Sequence, residues 1–416
     1  MSITKPFTID KMVIVEAYKR VKANAGSAGV DAETIEEFDK DLKKNLYKIW
    51  NRMSSGSYFP PPVKAVPIPK KQGGVRMLGI PTVADRIAQM VVKIIFEPEL
   101  EPIFLENNYG YRPGKSAMDA IVVTRKRCWQ YLWVLEFDIR KLFDNIPHDL
   151  LMQAVKQHTS NKWIILYIER WLQAPMFNTA GELIARDKGT PQGGVISPLL
   201  SNLFMHYVFD LWLTRNHHNI PWSRYADDGV LHCKSAKQAH YIKAQLQQRF
   251  AACGIEMHAE KTRIVCCANT QQSWTGEIRS FDYLGYTFRV RRSINSKTGK
   301  VSSNFLPGVS RNSLKAMSNK IRKLNIHKWT NISIEEIAQK INPIIRGWIN
   351  YYARFTRTAF YPICRQINKI LVKWARNKYK SLRNHKVRAI CFIERLCATN
   401  RNLFAHWESG MVSSFV

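Results

Sequence analysis

The chain has 416 residues, 45% of them apolar, and 63 Lys and Arg against 32 Asp and Glu give a net charge of +31. That composition excludes a disordered chain, and the length predicts roughly two or three domains, each with a core of its own. So large a basic excess repels itself unless a polyanion neutralises it, so nucleic acid is the expected partner.

Residues 1–60 read as helical, with Ile35, Phe38, Leu42, Leu46 and Ile49 on one face, until Pro60-Pro61-Pro62 stops the pattern. Val63–Ile68 and Val75–Ile80 read as two strands around the turn Lys70-Lys71-Gln72-Gly73-Gly74. Lys70, Lys71 and Arg76 at that tip could hold a triphosphate, and could equally be an ordinary solvated basic turn. A helix is predicted from Thr82 to Phe96. Gly110-Tyr111-Arg112-Pro113-Gly114-Lys115-Ser116 is one residue too short for a P-loop and follows no strand, so Ser116 is expected to cap a helix over Ala117–Lys126.

Trp133–Ile139 predicts a buried strand ending in Asp138. An acid there must be paired, hydrogen-bonded or bound to a cation, unless it is a turn or cap residue. Arg140–Pro147 reads as a turn and His148–Gln157 as a helix. Lys188–Gly194 is a Gly-rich loop, either a plain connection or a place where backbone approaches a base or sugar. Ser197 is expected to cap, and Pro198 to open, a helix reaching about Leu213.

Arg224–Leu231 predicts two short strands at a tight turn, with Asp-Gly as the turn signal. Asp227 and Asp228 there are either turn formers or oxygen ligands for a hard cation such as Mg²⁺. A helix is expected near Ala236–Cys253. Gly254–His258 and Thr262–Cys266 read as strands around Ala259-Glu260-Lys261, Phe281–Val290 as a strand containing Gly285, and Asn295–Ser303 as a polar loop.

From Arg291 onward there are 25 Lys and Arg against 4 Asp and Glu, so +21 of the charge sits in the last 126 residues. Helical periods carry it. Trp348, Tyr351, Tyr352 and Phe355 interleave with Arg346, Arg354 and Arg357, which suits an RNA surface, with most of the aromatics expected in the core. No apolar run has the length of a membrane span and no signal pattern opens the chain, so no membrane partner is expected. The 8 Cys include no C-x-x-C pair and read as reduced thiols of a cytosolic protein.

Taken in order, Tyr109–Gly114, Gly189–Pro198, Tyr225-Ala226-Asp227-Asp228, Phe281–Gly285 and Arg346–Tyr352 resemble the reverse transcriptases, most closely the group II intron-encoded reverse transcriptase/maturases, over about Asn24 to Trp407. The resemblance implies an α+β right-hand polymerase, fingers and palm over 1–290, then an all-α thumb or maturase domain over 291–385 and a short basic C-terminal tail over 386–416. After Lys386 there are Cys391 and Cys397 but no His-Asn-His constellation, so no endonuclease domain is expected.

It further implies two Mg²⁺ held by Asp138, Asp227 and Asp228 with the Ile139 carbonyl, although Asp138 and Asp227 are 89 residues apart. Lys261 would approach the leaving pyrophosphate, as a charge or a general acid. Lys70, Lys71 and Arg76 would meet the triphosphate, Gln192 and Gly193 the incoming base or template, and Phe143 the sugar. Arg112, Arg346, Tyr351 and Arg354 would bind nucleic acid. Expected partners are group II intron RNA, an RNA template with DNA primer or target, and dNTPs; the family admits a homodimer and a bacterial cytoplasmic or nucleoid-associated ribonucleoprotein. The implied work is reverse transcription, help with intron splicing, and retrohoming by target-primed synthesis. The alternatives are a splicing maturase without polymerase activity, a retron or defence-type reverse transcriptase, and an RNA-dependent RNA polymerase, which more often carries Gly before the paired acids.

Overall fold

The computed structural model describes residues 5–69, 74–268, 278–294, 299 and 301–415. Two compact units emerge, one of residues 1–127 and 133–264, the other of 128–132 and 265–416.

In the first unit, helices Lys11–Asn24, Ile35–Lys40 and Leu42–Ser54 give way at the prolines to the hairpin Val63–Pro69 and Val75–Ile80, with Lys64 opposite Ile80. Helix Val83–Leu100 carries Ile87, Val91, Val92 and Phe96 fully buried. The central sheet has the order Trp222–Tyr225, Asp228–Cys233, Trp133–Asp138, Arg263–Cys266. Val134, Leu135 and Phe137 make Trp133–Asp138 a strand buried on both faces, as its nearly unbroken apolar run predicts. The run from Ser197 to Asn216 is helical throughout, with a π turn at His206–Asp210. Ser197 does not cap it: its hydroxyl instead bonds that of Thr190 at 2.8 Å. Ser116 does cap its helix, exchanging bonds with Asp119.

In the second unit, Ser280–Tyr283, Tyr286–Ile294 and Val301–Val309 form an antiparallel sheet. Gly285 is therefore not inside a strand. It closes a two-residue turn with Leu284, at φ 81° and 50°, the geometry such turns demand. Residues 301–303, expected in a loop, are strand. Helices Arg311–Lys323, Ile334–Tyr352, Tyr361–Lys378, Lys386–Thr399 and Ala405–Glu408 share one apolar core. The segment after 386 is thus not a tail. Ala389, Ile393, Phe404, Trp407 and Phe415 are buried in that core, and Asn368 Oδ1 accepts from His406 Nε2 at 2.8 Å and Trp407 Nε1 at 3.0 Å. The division between the units falls at 264–265 rather than at 290. Among the described residues, no helix is long and apolar enough to cross a membrane.

Candidate active site

The strands Trp133–Asp138 and Asp228–Cys233 pair antiparallel with Asp138 opposite Asp228. On the other side Tyr225 faces Asp228, so Ala226 and Asp227 form the turn. The expected Asp228-Gly229 turn is therefore displaced by two residues. Gly229 lies within the strand, where its missing side chain leaves room for the Phe137 ring, and Ala226 takes the positive φ of 58°. Two backbone bonds close the group, Ile139 N to Asp227 O at 3.3 Å and His258 N to Asp138 O at 2.8 Å. Gly254–His258 makes no strand, only a single bridge between Met257 and Ile139. The turn that follows, held by Lys261 N and Thr262 N donating to His258 O, brings Lys261 Nζ to 2.8 Å from Asp138 Oδ2.

Three carboxylates and one ammonium thus converge from segments distant in sequence. Burial pushes the Asp228 carboxyl up to about 8, with repulsion from Asp227 and Asp138 adding to it. Burial and the Asp138 charge also raise Asp227, while Arg76 and Lys261 draw it back. For Lys261, burial works against the charge, but the hydrogen bond and charge of Asp138 hold its ammonium above the ordinary value. Mutually repelling, mostly buried oxygen donors suit a hard divalent cation. Among the described residues no group of three or more acidic, His or Cys side chains is placed to hold a metal ion by itself. Mg²⁺ does not demand such a group, since it binds through one or two carboxylates and completes its shell with water and substrate phosphates.

The Gly-rich loop lies against the turn that follows the Asp138 strand. Gly189 N and Thr190 N donate to Ile146 O and Phe143 O, each at 2.7 Å, on the turn leaving the Asp138 strand. Gln192 O accepts from Gly79 N at 2.7 Å, and its side chain accepts from Arg76 Nε. Gly193 is required by the protein itself: at φ 118°, a Cβ would collide with Gly79 O. Phe143 is 6% exposed, and its ring meets Tyr111 edge-on at 6.4 Å. Lys70 and Lys71 lie outside the described residues.

Sequence reasoning missed Tyr111, which bridges Phe143 and Tyr225 and whose hydroxyl is raised by burial and by Asp227. It also missed Asp85 and Gln89. Asp85 accepts from Tyr58 OH, Trp171 Nε1 and Gln89 Nε2, and Gln89 Oε1 accepts from Val195 N at 2.8 Å and Ile196 N at 3.3 Å, fixing the far end of the Gly-rich loop. Their signal was two polar residues four apart on an otherwise apolar helix face. Arg112 is corrected: its side chain is 6% exposed and is used internally, on Glu101 at 2.7 and 2.9 Å and on the carbonyls of Leu105 and Asn108.

In the second unit, Tyr351 is half-buried among Tyr286 and Tyr352 and donates to Leu284 O at 2.8 Å, so it braces the hairpin turn. Arg346 is exposed and pairs with Glu408 at 3.3 Å, and Arg354 is exposed.

Comparison with known proteins identifies the chain's relatives. Residues 68–288 match the family described as reverse transcriptase (RNA-dependent DNA polymerase), and residues 314–392 the group II intron maturase-specific domain. The group II intron-encoded protein LtrA of Lactococcus lactis subsp. cremoris is 27% identical over 80% of this chain and 64% of its own length. The putative COX1/OXI3 intron 1 protein of Saccharomyces cerevisiae is 26% identical over 85% of this chain and 49% of its own. The chain thus spans between about half and two thirds of the length of these curated relatives. Among solved structures, telomerase of Candida albicans in complex with a telomeric RNA fragment aligns at a TM-score of 0.45 and 12% identity, covering 90% of this chain and 67% of that one.

Proposed function

The chain belongs to the reverse transcriptase family, and from that premise we propose that it is an Mg²⁺-dependent RNA-directed DNA polymerase that also binds a group II intron RNA and assists its splicing. The observation that carries the polymerase reading is the register of Asp138 opposite Asp228, with Asp227 on the adjoining turn and Lys261 alongside.

The reaction joins the primer 3′-oxygen to the α-phosphorus of a dNTP. The bond to the β-phosphate oxygen breaks, pyrophosphate leaves, and the hydroxyl proton is lost. Asp138, Asp227 and Asp228, with the Ile139 carbonyl, are the groups that would hold two Mg²⁺. Such ions lower the cost of charge on the attacking and leaving oxygens. Lys261 adds a cation beside the carboxylates, where pyrophosphate charge can be neutralised as it develops or receive a proton. Arg76 and Gln192, joined to each other, form the wall for the triphosphate and the base pair, with Lys70 and Lys71 on the same hairpin by sequence. Phe143 and Tyr111 form an aromatic wall suited to a deoxyribose.

The second activity is supported by the maturase-domain match over residues 314–392 and by the +21 charge from residue 291 onward. Together the two would allow cDNA synthesis primed at a DNA target, the step that retrohoming requires. A maturase with a vestigial polymerase site is disfavoured by the intact set of carboxylates. Primer extension by Asp227→Asn tests the central claim. A neutral amide is a poor Mg²⁺ ligand, so extension should vanish while RNA affinity survives. Near-normal extension by the purified variant would refute it.

A further inference from the structure

Beneath the carboxylate turn lies an ion pair with no solvent exposure on either side chain, Arg224 with Asp210. Arg224 Nε donates to Asp210 Oδ1 at 2.8 Å and Nη2 to Oδ2 at 2.6 Å, a two-point grip that fixes the guanidinium plane. The remaining nitrogen, Nη1, donates to Ala226 O at 3.1 Å and, at 3.3 Å, to Asn202 Oδ1.

Ala226 is the residue before Asp227, is buried, and sits at φ 58°, a conformation strained for any residue with a Cβ. From the other side Gly110 packs so closely that a Cβ there would collide with Ala226 N. Asn202 Nδ2 holds Gly110 in turn, donating to its carbonyl at 2.6 Å. The backbone of Arg224 is itself fixed, its N–H donating to Asn107 O at 3.0 Å and its carbonyl accepting from Tyr109 N at 2.9 Å. Asp210 ends the π turn His206–Asp210, a local widening of the helix of the kind that recurs at functional sites.

A buried ion pair is a poor way to stabilise a core, because desolvating both charges offsets most of their attraction, and apolar residues of similar volume often do as well. What apolar residues cannot supply is the donor to Ala226 O. We propose that Arg224, locked in orientation by Asp210, is a positioning residue for the carboxylate turn: it fixes the Ala226–Asp227 peptide and so aims Asp227 at Asp138. The proposal rests on the polymerase reading for its consequence in catalysis, and on geometry alone for the clamp.

The test replaces the pair as a unit. Asp210→Leu with Arg224→Met keeps the core filled and removes the donor. The double variant should fold, with a Tm lowered by no more than the loss of the donor to Ala226 O entails, and should keep its affinity for a primed RNA template. It should lose kcat by roughly 10- to 100-fold, the cost of a small misplacement of a reacting group, with the KM for dNTP little changed. Amide hydrogen exchange in the metal-free protein should accelerate at residues 225–228. A folded double variant with wild-type kcat and unchanged exchange would reduce the pair to core packing. Should the double variant fail to fold, Arg224→Lys decides. Its single ammonium keeps the buried charge but cannot reproduce the fork that grips Asp210 and reaches Ala226 O together, so the same losses are expected, and wild-type kcat in a folded Arg224→Lys protein overturns the proposal. If the unaltered protein extends no primer, the polymerase reading fails, and the exchange rates still report on the clamp.

Discussion

Gly229 and Phe137 are register partners on neighbouring strands, and the ring of Phe137 occupies the space where a side chain on Gly229 would begin. Phe137 has nowhere else to go, because its ring also packs on Phe209 at 5.1 Å and Phe250 at 5.7 Å. Gly229→Ala therefore forces the two carboxylate-bearing strands apart next to Asp138 and Asp228. Overpacking of this kind costs about 1–3 kcal/mol, and primer extension should fall with it. Phe137→Leu in the same chain should restore part of both. Thermal unfolding and extension assays on the three proteins check this, and an unchanged Tm in Gly229→Ala would contradict it.

Phe143 should govern the choice of sugar. A ring beneath the incoming nucleotide leaves room for a 2′-hydrogen and clashes with a 2′-hydroxyl, so selection is repulsive. Phe143→Ala should raise ribonucleotide use. Because the ring is nearly buried against Tyr111, the change should also cost roughly 3–5 kcal/mol of stability. The ratio of kcat/KM for dNTP and rNTP separates the roles, since a residue that only packs would leave that ratio untouched.

Asp85 makes stability depend on pH. Burial raises its carboxyl from 3.8 to about 6, against the pull of the Trp171, Tyr58 and Gln89 donors. A folded-state value above the unfolded one means that the contribution is fully present below about pH 4 and is lost as pH rises through about 6. A gap of about two pKa units is worth roughly 3 kcal/mol. Asp85→Asn does not titrate, so the stability of the wild type relative to this variant should grow as pH falls from neutrality towards 4. Urea unfolding of both proteins across that range measures it, and a flat difference would place the Asp85 carboxyl at its unfolded value.

Arg354 and Arg357 are exposed on the second unit. If they meet RNA phosphates, changing each to Gln should weaken binding of intron RNA. The slope of log K against log salt should fall by about 0.7–0.9 per lost phosphate contact. Affinity and slope both equal to wild type would remove these two from the RNA surface.

Most strands and the long helices were legible because apolar periodicity is written locally, whereas the meeting of Asp138 with Asp227 and Asp228 was expected only from the order of the motifs and the family they resemble. Arg112 misled because a motif arginine looks the same whether it faces a phosphate or the buried side of Glu101. The segment after 386 misled in the other direction: its charges are interleaved with Ile393, Phe404 and Trp407, and only the packing against Asn368 shows that these form core. Gly229 resembled a turn glycine because sequence cannot distinguish a need for positive φ from a need for empty space. The Asp85–Gln89–Val195 relay joins residues more than a hundred positions apart, and no local pattern encodes its far end.

Residues 128–132 belong to the second unit although sequence on both sides belongs to the first. Leu132 O accepts from Cys267 N at 2.7 Å, and the Trp129 indole donates to Phe305 O at 3.0 Å. On the ribosome, Trp129 therefore emerges 176 residues ahead of its acceptor. At the usual pace of synthesis that is a wait of roughly ten to thirty-five seconds. During that interval, the Trp129 indole N–H and the Leu132 carbonyl are open to water or to the wrong neighbour, while the first unit can already fold.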